Sequence, residues 1–268
     1  MSKPEDQKKE LPKVSCLTVT ANRKNLIRRA IRCFSRQTYP NKELVIVDDG
    51  EQNIEEVLQS LPAKQLKYIK LPKKPGNRLG KLRNKTLREA SGTFLAQWDD
   101  DDWYHPQRLS IQVQTLLEGY DACCLSGTLM HLNIAPYKQY PYLGYLPEGV
   151  PGSIMHRENK GIRYPNTHKA EDTIYLKEWM EQEYTQLSNI YSHLFIRCYH
   201  GSNTWDKKHF LRRIRNNPTD GLLYFWHKVV RGKLFEHPRF QLTDTQSRSF
   251  QMYLKDSREL NLLHGNLE

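Results

Sequence analysis

Up to residue 117 the chain alternates short, densely apolar runs with stretches in which apolar residues return every three or four positions. Val14–Thr20 (VSCLTVT), residues 43–49 (ELVIVDD), 66–71 (LKYIKL) and 94–98 (FLAQW) are short apolar or β-branched runs and predict buried strands. Between them Leu26, Ile27, Ala30, Ile31 and Phe34 keep helical spacing, with Asn22 or Asn25 as a candidate cap. Ile54, Val57, Leu58 and Leu61 predict a short helix, and residues 79–90 a longer one closed by Gly92 at C′. Residues 106–117 predict a fourth helix, with Pro106 in its first turn and Gly119 at its end.

Strands alternating with helices mean βαβ units, right-handed crossovers and a mostly parallel twisted sheet flanked by helices, an α/β fold. Ligands of such sheets sit beyond the carboxyl ends of the strands. Three polar stations fall there: Thr20-Ala21-Asn22, Asp48-Asp49 and the run Asp99-Asp100-Asp101-Asp102. They are expected to converge on one crevice. Four adjacent carboxylates cost free energy unless a cation neutralises them, and Mg²⁺ or Mn²⁺ commonly joins one or two carboxylates to a substrate's phosphates. A solvated acidic turn, or a cap for the helix after Pro106, is the plainer explanation of the aspartates alone.

The second half is less regular. Residues 121–132 read as one strand, 137–145 as an aromatic, Pro-punctuated loop, 153–157 as a short strand, 172–180 as a helix and 194–200 as a strand ending on a polar group. Tyr140, Tyr142 and Tyr145 offer faces for sugar rings or simply pack the loop. Beyond Phe210 basic and apolar residues mix, and Leu222, Leu223, Phe225, Trp226, Val229 and Val230 form an apolar face beside Lys207, Lys208, Arg212, Arg213 and Arg215. Such a stretch lies on an anionic membrane or packs on the core.

Composition narrows the class. No window of the 268 residues approaches the ~20 apolar positions of a membrane span, and the start lacks a signal-peptide core. Five cysteines without paired spacing argue against a disulfide framework or zinc site, and Cys123 and Cys124 sit in an apolar run as packed thiols. A cytoplasmic protein is expected. The net charge of +11 suits nucleic acid, anionic lipid or phosphorylated small molecules and does not choose among them.

In order, VSCLTVTANR, SRQTYPNKELVIVDDG, LGKLRN and ASGTFLAQWDDDDWYHP resemble the family 2 glycosyltransferases of the GT-A fold, from Val14 to about Arg108. The EDT of Glu171-Asp172-Thr173 and the HGSNTW of residues 200–205 follow in the expected order. The resemblance implies a nucleotide-diphosphate sugar donor (a UDP-sugar favoured), Mn²⁺ or Mg²⁺, inversion at the anomeric carbon and a glycan or lipid-linked acceptor. By the same resemblance Thr20, Asn22 and Asp48 meet the donor nucleotide, while Lys81 and Arg83 lie near its diphosphate. Asp101 is then the metal ligand, with Asp99 reaching the ribose or a metal-bound water and His200 a candidate further ligand. Asp102 binds the sugar or caps the next helix, and Asp172 is the catalytic base. The usual Pro-Thr-Tyr-Asn is here Val19-Thr20-Ala21-Asn22, without the tyrosine.

The expected organisation is a disordered tail at 1–12, a glycosyltransferase domain at 13–209 (nucleotide-binding half 13–108, acceptor half 109–209) and a helical C-terminal extension at 210–268, with peripheral membrane association as an option. Rival readings are a nucleotidyltransferase-like enzyme and an inactive nucleotide-sugar- or nucleic-acid-binding relative. The first wants a glycine-rich loop after the first strand, and TANRKN has no glycine. An acidic crevice disfavours nucleic acid as a partner.

Overall fold

The computed structural model describes residues 11–167, 170–201, 203 and 206–263. Its strands are β1 (Val14–Thr20), β2 (Lys42–Asp48), β3 (Leu66–Lys70), β4 (Phe94–Gln97), β5 (Trp103–Tyr104), β6 (Ala122–Leu125), β7 (Gly127–Leu132), β8 (Tyr142–Tyr145), β9 (Met155–Arg157), β10 (Tyr184–Leu187) and β11 (Phe195–Tyr199). The α-helices are α1 (Lys24–Ser35), α2 (Glu55–Leu58), α3 (Leu79–Glu89), α4 (Arg108–Leu117), α5 (Glu171–Met180), α6 (Lys207–Arg212), α7 (Pro218–Phe225) and α8 (Asp244–Glu259).

Seven strands form the main sheet in the order β10-β6-β9-β4-β1-β2-β3. All run parallel except β9, which is antiparallel to both β4 and β6. Helices cover both faces, and the strand pattern shows it. Phe94, Ala96 and Trp98 enter one core with Cys16 and Ile46, while Leu95 enters the other with Leu17 and Val45. A smaller sheet, β5-β11-β7-β8, stands beside the first.

Where the predicted elements differ from the structure, local contacts explain it. Residues 121–132 are not one strand: at Ser126 the chain leaves the main sheet for the smaller one. The Ser126 N–H and hydroxyl both donate to the Leu187 carbonyl, and a Cβ on Gly127 would lie 2.3 Å from Asn189 Oδ1. Neither Asn22 nor Asn25 caps α1, whose N-cap is Arg23. Asn22 instead adopts φ 56° and accepts from the Glu51 and Gln52 N–H groups at 2.7 and 3.0 Å, tying the end of β1 to the turn after β2. Gly92 is not a C′ residue. Its N–H donates to Ser15 Oγ, and a Cβ there would stand 2.7 Å from the Lys13 carbonyl oxygen. Pro106 precedes the Gln107 cap of α4, and Gly119 ends that helix at φ 114° as expected. Three strands were not predicted: β5 is too short and β10 (YTQL) too polar to show a period, while β8 (YLGY), expected as the end of the 137–145 loop, pairs antiparallel with β7.

All five cysteines are free and buried. Tyr142 is buried with its hydroxyl donating to the Phe210 carbonyl, Tyr140 stacks on Phe235, and Tyr145 lies under Arg239, so these rings pack the protein. The C-terminal α8 starts with a Thr243–Gln246 capping box and sends Phe250, Tyr253 and Leu254 into the same core as β1 and β4. Its Asp256 accepts from Trp103 Nε1 and pairs with Arg36, clamping α8 to the segment just after the aspartates. The apolar face ahead of α8 is uncovered: Leu222 is 73% exposed, Val229 61% and Trp226 51%, with Lys228 and Arg231 exposed among them. Among the described residues no helix is long and apolar enough to cross a membrane.

Candidate active site

Parallel register delivers the first polar stations to one edge. Thr20 at the end of β1 is directly opposite Asp48 at the end of β2. β4 runs beside β1 with Gln97 opposite Leu17, so the chain beyond Gln97 emerges at the same edge. There Thr20 Oγ1 donates to Asp100 Oδ2 at 2.7 Å. Asp48 is buried and fully engaged: it accepts from the Gly50 N–H, the Tyr68 hydroxyl and Lys70 Nζ, each at 2.8 Å. Thr20, Asn22 and Asp48 thus brace the edge from which the aspartate loop projects.

The four aspartates have four different surroundings. Asp99 accepts from Arg83 Nη2 at 3.0 Å and from Gln97 Nε2, whose own side chain is fixed by the Tyr164 hydroxyl. Asp100 meets Thr20 and Arg23, and burial together with the adjacent Asp101 raises its pKa to about 6. Asp101 is held in the charged form: burial opposes ionisation, but hydrogen bonding to His200 and the charge of Arg23 outweigh it. Its Oδ2 lies 3.4 Å from His200 Nε2 and 3.3 Å from Arg23 Nη1. Asp102 accepts the Cys198 N–H of β11 at 2.9 Å, and burial plus Asp101 push its pKa well up. Asp102 therefore does not cap α4.

These residues line a crevice of about 210 Å³ that also receives Arg83, Arg197 and Asp172. Arg83 joins two of its wall carboxylates, with Nη2 on Asp99 and Nε 3.5 Å from Glu171 Oε1. Lys81 is not there. It lies two residues away on α3, where side chains do not share a face, and borders a separate depression with Lys74 and Lys85. Ala170 enters α5 in the left-handed region at φ 62°, a conformation costing about 1 kcal/mol or more for a non-glycine residue. The turn leaves Glu171 buried against Arg83 and Asp172 half-buried at the crevice wall, its Oδ1 accepting the Thr173 N–H at 2.7 Å.

Asp172 and Arg197 also line a second cavity of about 370 Å³, bounded by Leu146, Leu176, His209 and Arg213. Arg23 and Arg197 carry charge into the site without having been singled out from the sequence. Arg23 follows the polar station after β1, and Arg197 alternates with core residues in β11, signals that basic residues on any α/β surface also give.

A divalent cation is tested by the donors available. Asp101 and His200 offer one oxygen and one nitrogen, whereas Asp99 faces Arg83 instead of joining them. Among the described residues no three His, Cys, Asp or Glu groups form a metal cluster. Two protein donors beside buried, mutually repelling carboxylates fit a cation that shares its remaining positions with substrate phosphates and water. Of the 200–205 segment, Ser202, Thr204 and Trp205 lie outside the described residues, while Asn203 donates to Asp101 and to the Cys198 carbonyl.

Known proteins resemble this chain in sequence and fold. The family model for glycosyl transferase family 2 matches residues 15–259. EpsH of Bacillus subtilis (strain 168), a glycosyltransferase by name, is 32% identical over 198 residues, 70% of this chain and 58% of EpsH. The GalNAc(5)-diNAcBac-PP-undecaprenol beta-1,3-glucosyltransferase of Campylobacter jejuni is 32% identical over 114 residues, 41% of this chain and 36% of that enzyme. The chain thus spans well under two thirds of these relatives. Among solved structures, S. aureus TarS 1-349 in complex with UDP-GlcNAc superposes with a TM-score of 0.58 at 17% identity, over 94% of this chain and 81% of that one. The mannosyltransferase PcManGT of Pyrobaculum calidifontis, solved with GDP-Man and Mn²⁺, gives 0.54 at 15% identity, over 96% and 76%. A parallel sheet whose carboxyl edge carries the aspartate loop, matched by a family model along nearly its whole length, assigns the protein: this chain belongs to glycosyl transferase family 2 and has the GT-A fold.

Proposed function

We propose that the chain transfers a sugar from a nucleotide-diphosphate sugar, a UDP-sugar by preference, to a hydroxyl of a glycan or lipid-linked acceptor, with inversion. The observation that carries this reading is the position of Asp172, a wall residue of both the aspartate crevice and the second cavity. A carboxylate there serves a direct displacement. It takes the proton of the acceptor hydroxyl as the oxygen bonds to the anomeric carbon and the bond to the nucleoside diphosphate breaks.

The other residues divide the remaining work. Thr20, Asn22 and Asp48 shape the edge that receives the nucleotide. Arg83, protonated despite burial because Asp99, Tyr164 and Glu171 surround it, holds Asp99 and adds positive charge near the departing diphosphate. Asp101 and His200 would hold Mn²⁺ or Mg²⁺, which neutralises charge on the leaving group. A UDP-sugar is favoured because TarS was solved with UDP-GlcNAc, although the GDP-Man of PcManGT shows that the fold takes either.

The lipid-linked acceptor draws support from the undecaprenol in the Campylobacter enzyme's name and from the uncovered face of Leu222, Trp226 and Val229 with its basic neighbours. We accordingly read the chain as a cytoplasmic protein held peripherally on an anionic membrane.

A thermal-shift panel of UDP, GDP, UDP-sugars and GDP-sugars, each with and without Mn²⁺, tests the donor reading. A metal-dependent rise in melting temperature with a uridine nucleotide is expected, since ligand binding stabilises by mass action. No shift with any nucleoside diphosphate in either condition would defeat it.

A further inference from the structure

The second cavity has a charge that its proposed role as acceptor site does not by itself require. Lys177, Arg197, His209 and Arg213 border it, against Asp172 and the exposed Glu148. Among the described residues neither Arg197 nor Arg213 forms an ion pair; Arg197 lies over the Phe210 ring and Arg213 Nη2 meets His209 Nε2 at 3.4 Å. Arg213 Nε is buried without a hydrogen-bond partner. The crowding shows in the titration of the group. Burial, Arg197 and Arg212 push Arg213 down to about 10, and burial with Arg213, Arg197 and Arg212 pushes His209 down to about 4. Like charges held together and half-buried destabilise one another until an anion joins them. The apolar part of the wall, Leu146, Leu176 and Met180, suits the hydrocarbon or ring face of the same molecule.

We propose that this cavity takes an acceptor bearing an oxyanion, a carboxylate or a phosphate, which Arg197 and Arg213 bind beside the hydroxyl presented to Asp172. The inference deepens the glycosyltransferase reading and rests on it, since it is Asp172 that makes the cavity an acceptor site. Arg213 is the cleaner residue to test because Arg197 also faces the donor crevice.

The experiment measures binding of octyl glucoside, octyl glucuronide and octyl phosphate to the full chain with UDP and Mn²⁺ present, each probe below its micellar concentration. Both anionic probes, or one of them, should bind at least about tenfold tighter than octyl glucoside, the scale of a charge-assisted pair. The tighter of the two identifies carboxylate or phosphate as the preferred anion. Arg213→Gln should erase the preference and leave UDP affinity unchanged, which also shows that the variant is folded; Arg213→Lys should keep part of it. Equal binding of all three probes, a preference that survives Arg213→Gln, or a parallel loss of UDP affinity would overturn the proposal. Asp172→Asn should retain the preference, so failure of the base assignment shows in turnover alone and failure of the anion site in selectivity alone.

Discussion

Asp101 Oδ2 lies 3.4 Å from His200 Nε2, across 99 residues of sequence. The contact joins the loop after β4 to the segment after β11, so the two sheets meet at the aspartate crevice. If both groups hold the divalent ion, Asp101→Ala should weaken metal-dependent donor binding by about 100-fold or more, and His200→Ala by about 10-fold. Titration of UDP with and without chelator measures both. Donor binding indifferent to chelator would remove the metal from the account.

Arg83 is the buried cation between Asp99 and Glu171. Removing it leaves two carboxylates in a poorly solvated wall, and loss of one partner from such a network costs about 3–5 kcal/mol. Arg83→Leu should therefore lower unfolding free energy by that amount in urea titrations, with Arg83→Lys recovering part of it. Burial already raises the Glu171 pKa against the pull of Arg83, so the deficit of the leucine variant relative to wild type should shrink as pH falls.

Much of this was legible in the sequence. The strand β1 and the carboxyl-edge meeting of Thr20, Asp48 and the aspartates follow from densely apolar runs ending on polar groups, and parallel register enforces the convergence. The acidic loop showed itself as an abrupt change of character after Trp98. Other features are set by contacts distant in sequence. The break at Ser126 lies inside an unbroken apolar run and depends on Leu187. Asp102 resembles a helix cap but is claimed by Cys198 of β11. Lys81 and Arg83 sit in the same LGKLRN motif, and only the helix phase separates the exposed one from the buried one.

Two buried histidines set a pH limit. Burial holds both His131 and His156 at about 4, below the usual 6.5. His156 Nδ1–H donates to the Arg157 carbonyl and Nε2 accepts from the Tyr175 hydroxyl, which fixes the neutral form against α5. A folded pKa below the unfolded one gives stability that is complete above pH 6.5 and is lost as pH falls toward 4. Each histidine contributes on the order of 3 kcal/mol across that window. Asp100, raised to about 6, works in the opposite direction between 6 and 3.8 and recovers part of the loss. Asp102 and Glu171, whose carboxyl pKa values burial also raises, act in the same direction as Asp100, so the histidine contribution is read as a difference. The stability gap between wild type and His156→Gln should change between pH 7 and 4.5, the variant lacking the loss that His156 imposes on acidification. An unchanged gap across that range would contradict the assignment.

The exposed face of Leu222, Phe225, Trp226, Val229 and Val230 should bind anionic vesicles at low salt, through apolar insertion and nearby basic residues. Trp226→Ser with Val229→Ser should abolish co-sedimentation without altering UDP affinity, because neither residue lines the donor crevice. Equal sedimentation of the double variant would dismiss the membrane role.

The central claim is that Asp172 removes the acceptor's proton in an inverting transfer. Asp172→Asn keeps size and shape but not basicity, so the decisive measurement is donor affinity and transfer rate in this variant, with the product's anomeric configuration read by NMR in the wild type. The account predicts unchanged donor affinity, transfer reduced by about 10²–10⁴-fold, and an inverted product. Glu171→Gln, altering the residue that pairs with Arg83, should reduce transfer less. Near-normal turnover in Asp172→Asn, or a product with retained configuration, would contradict it.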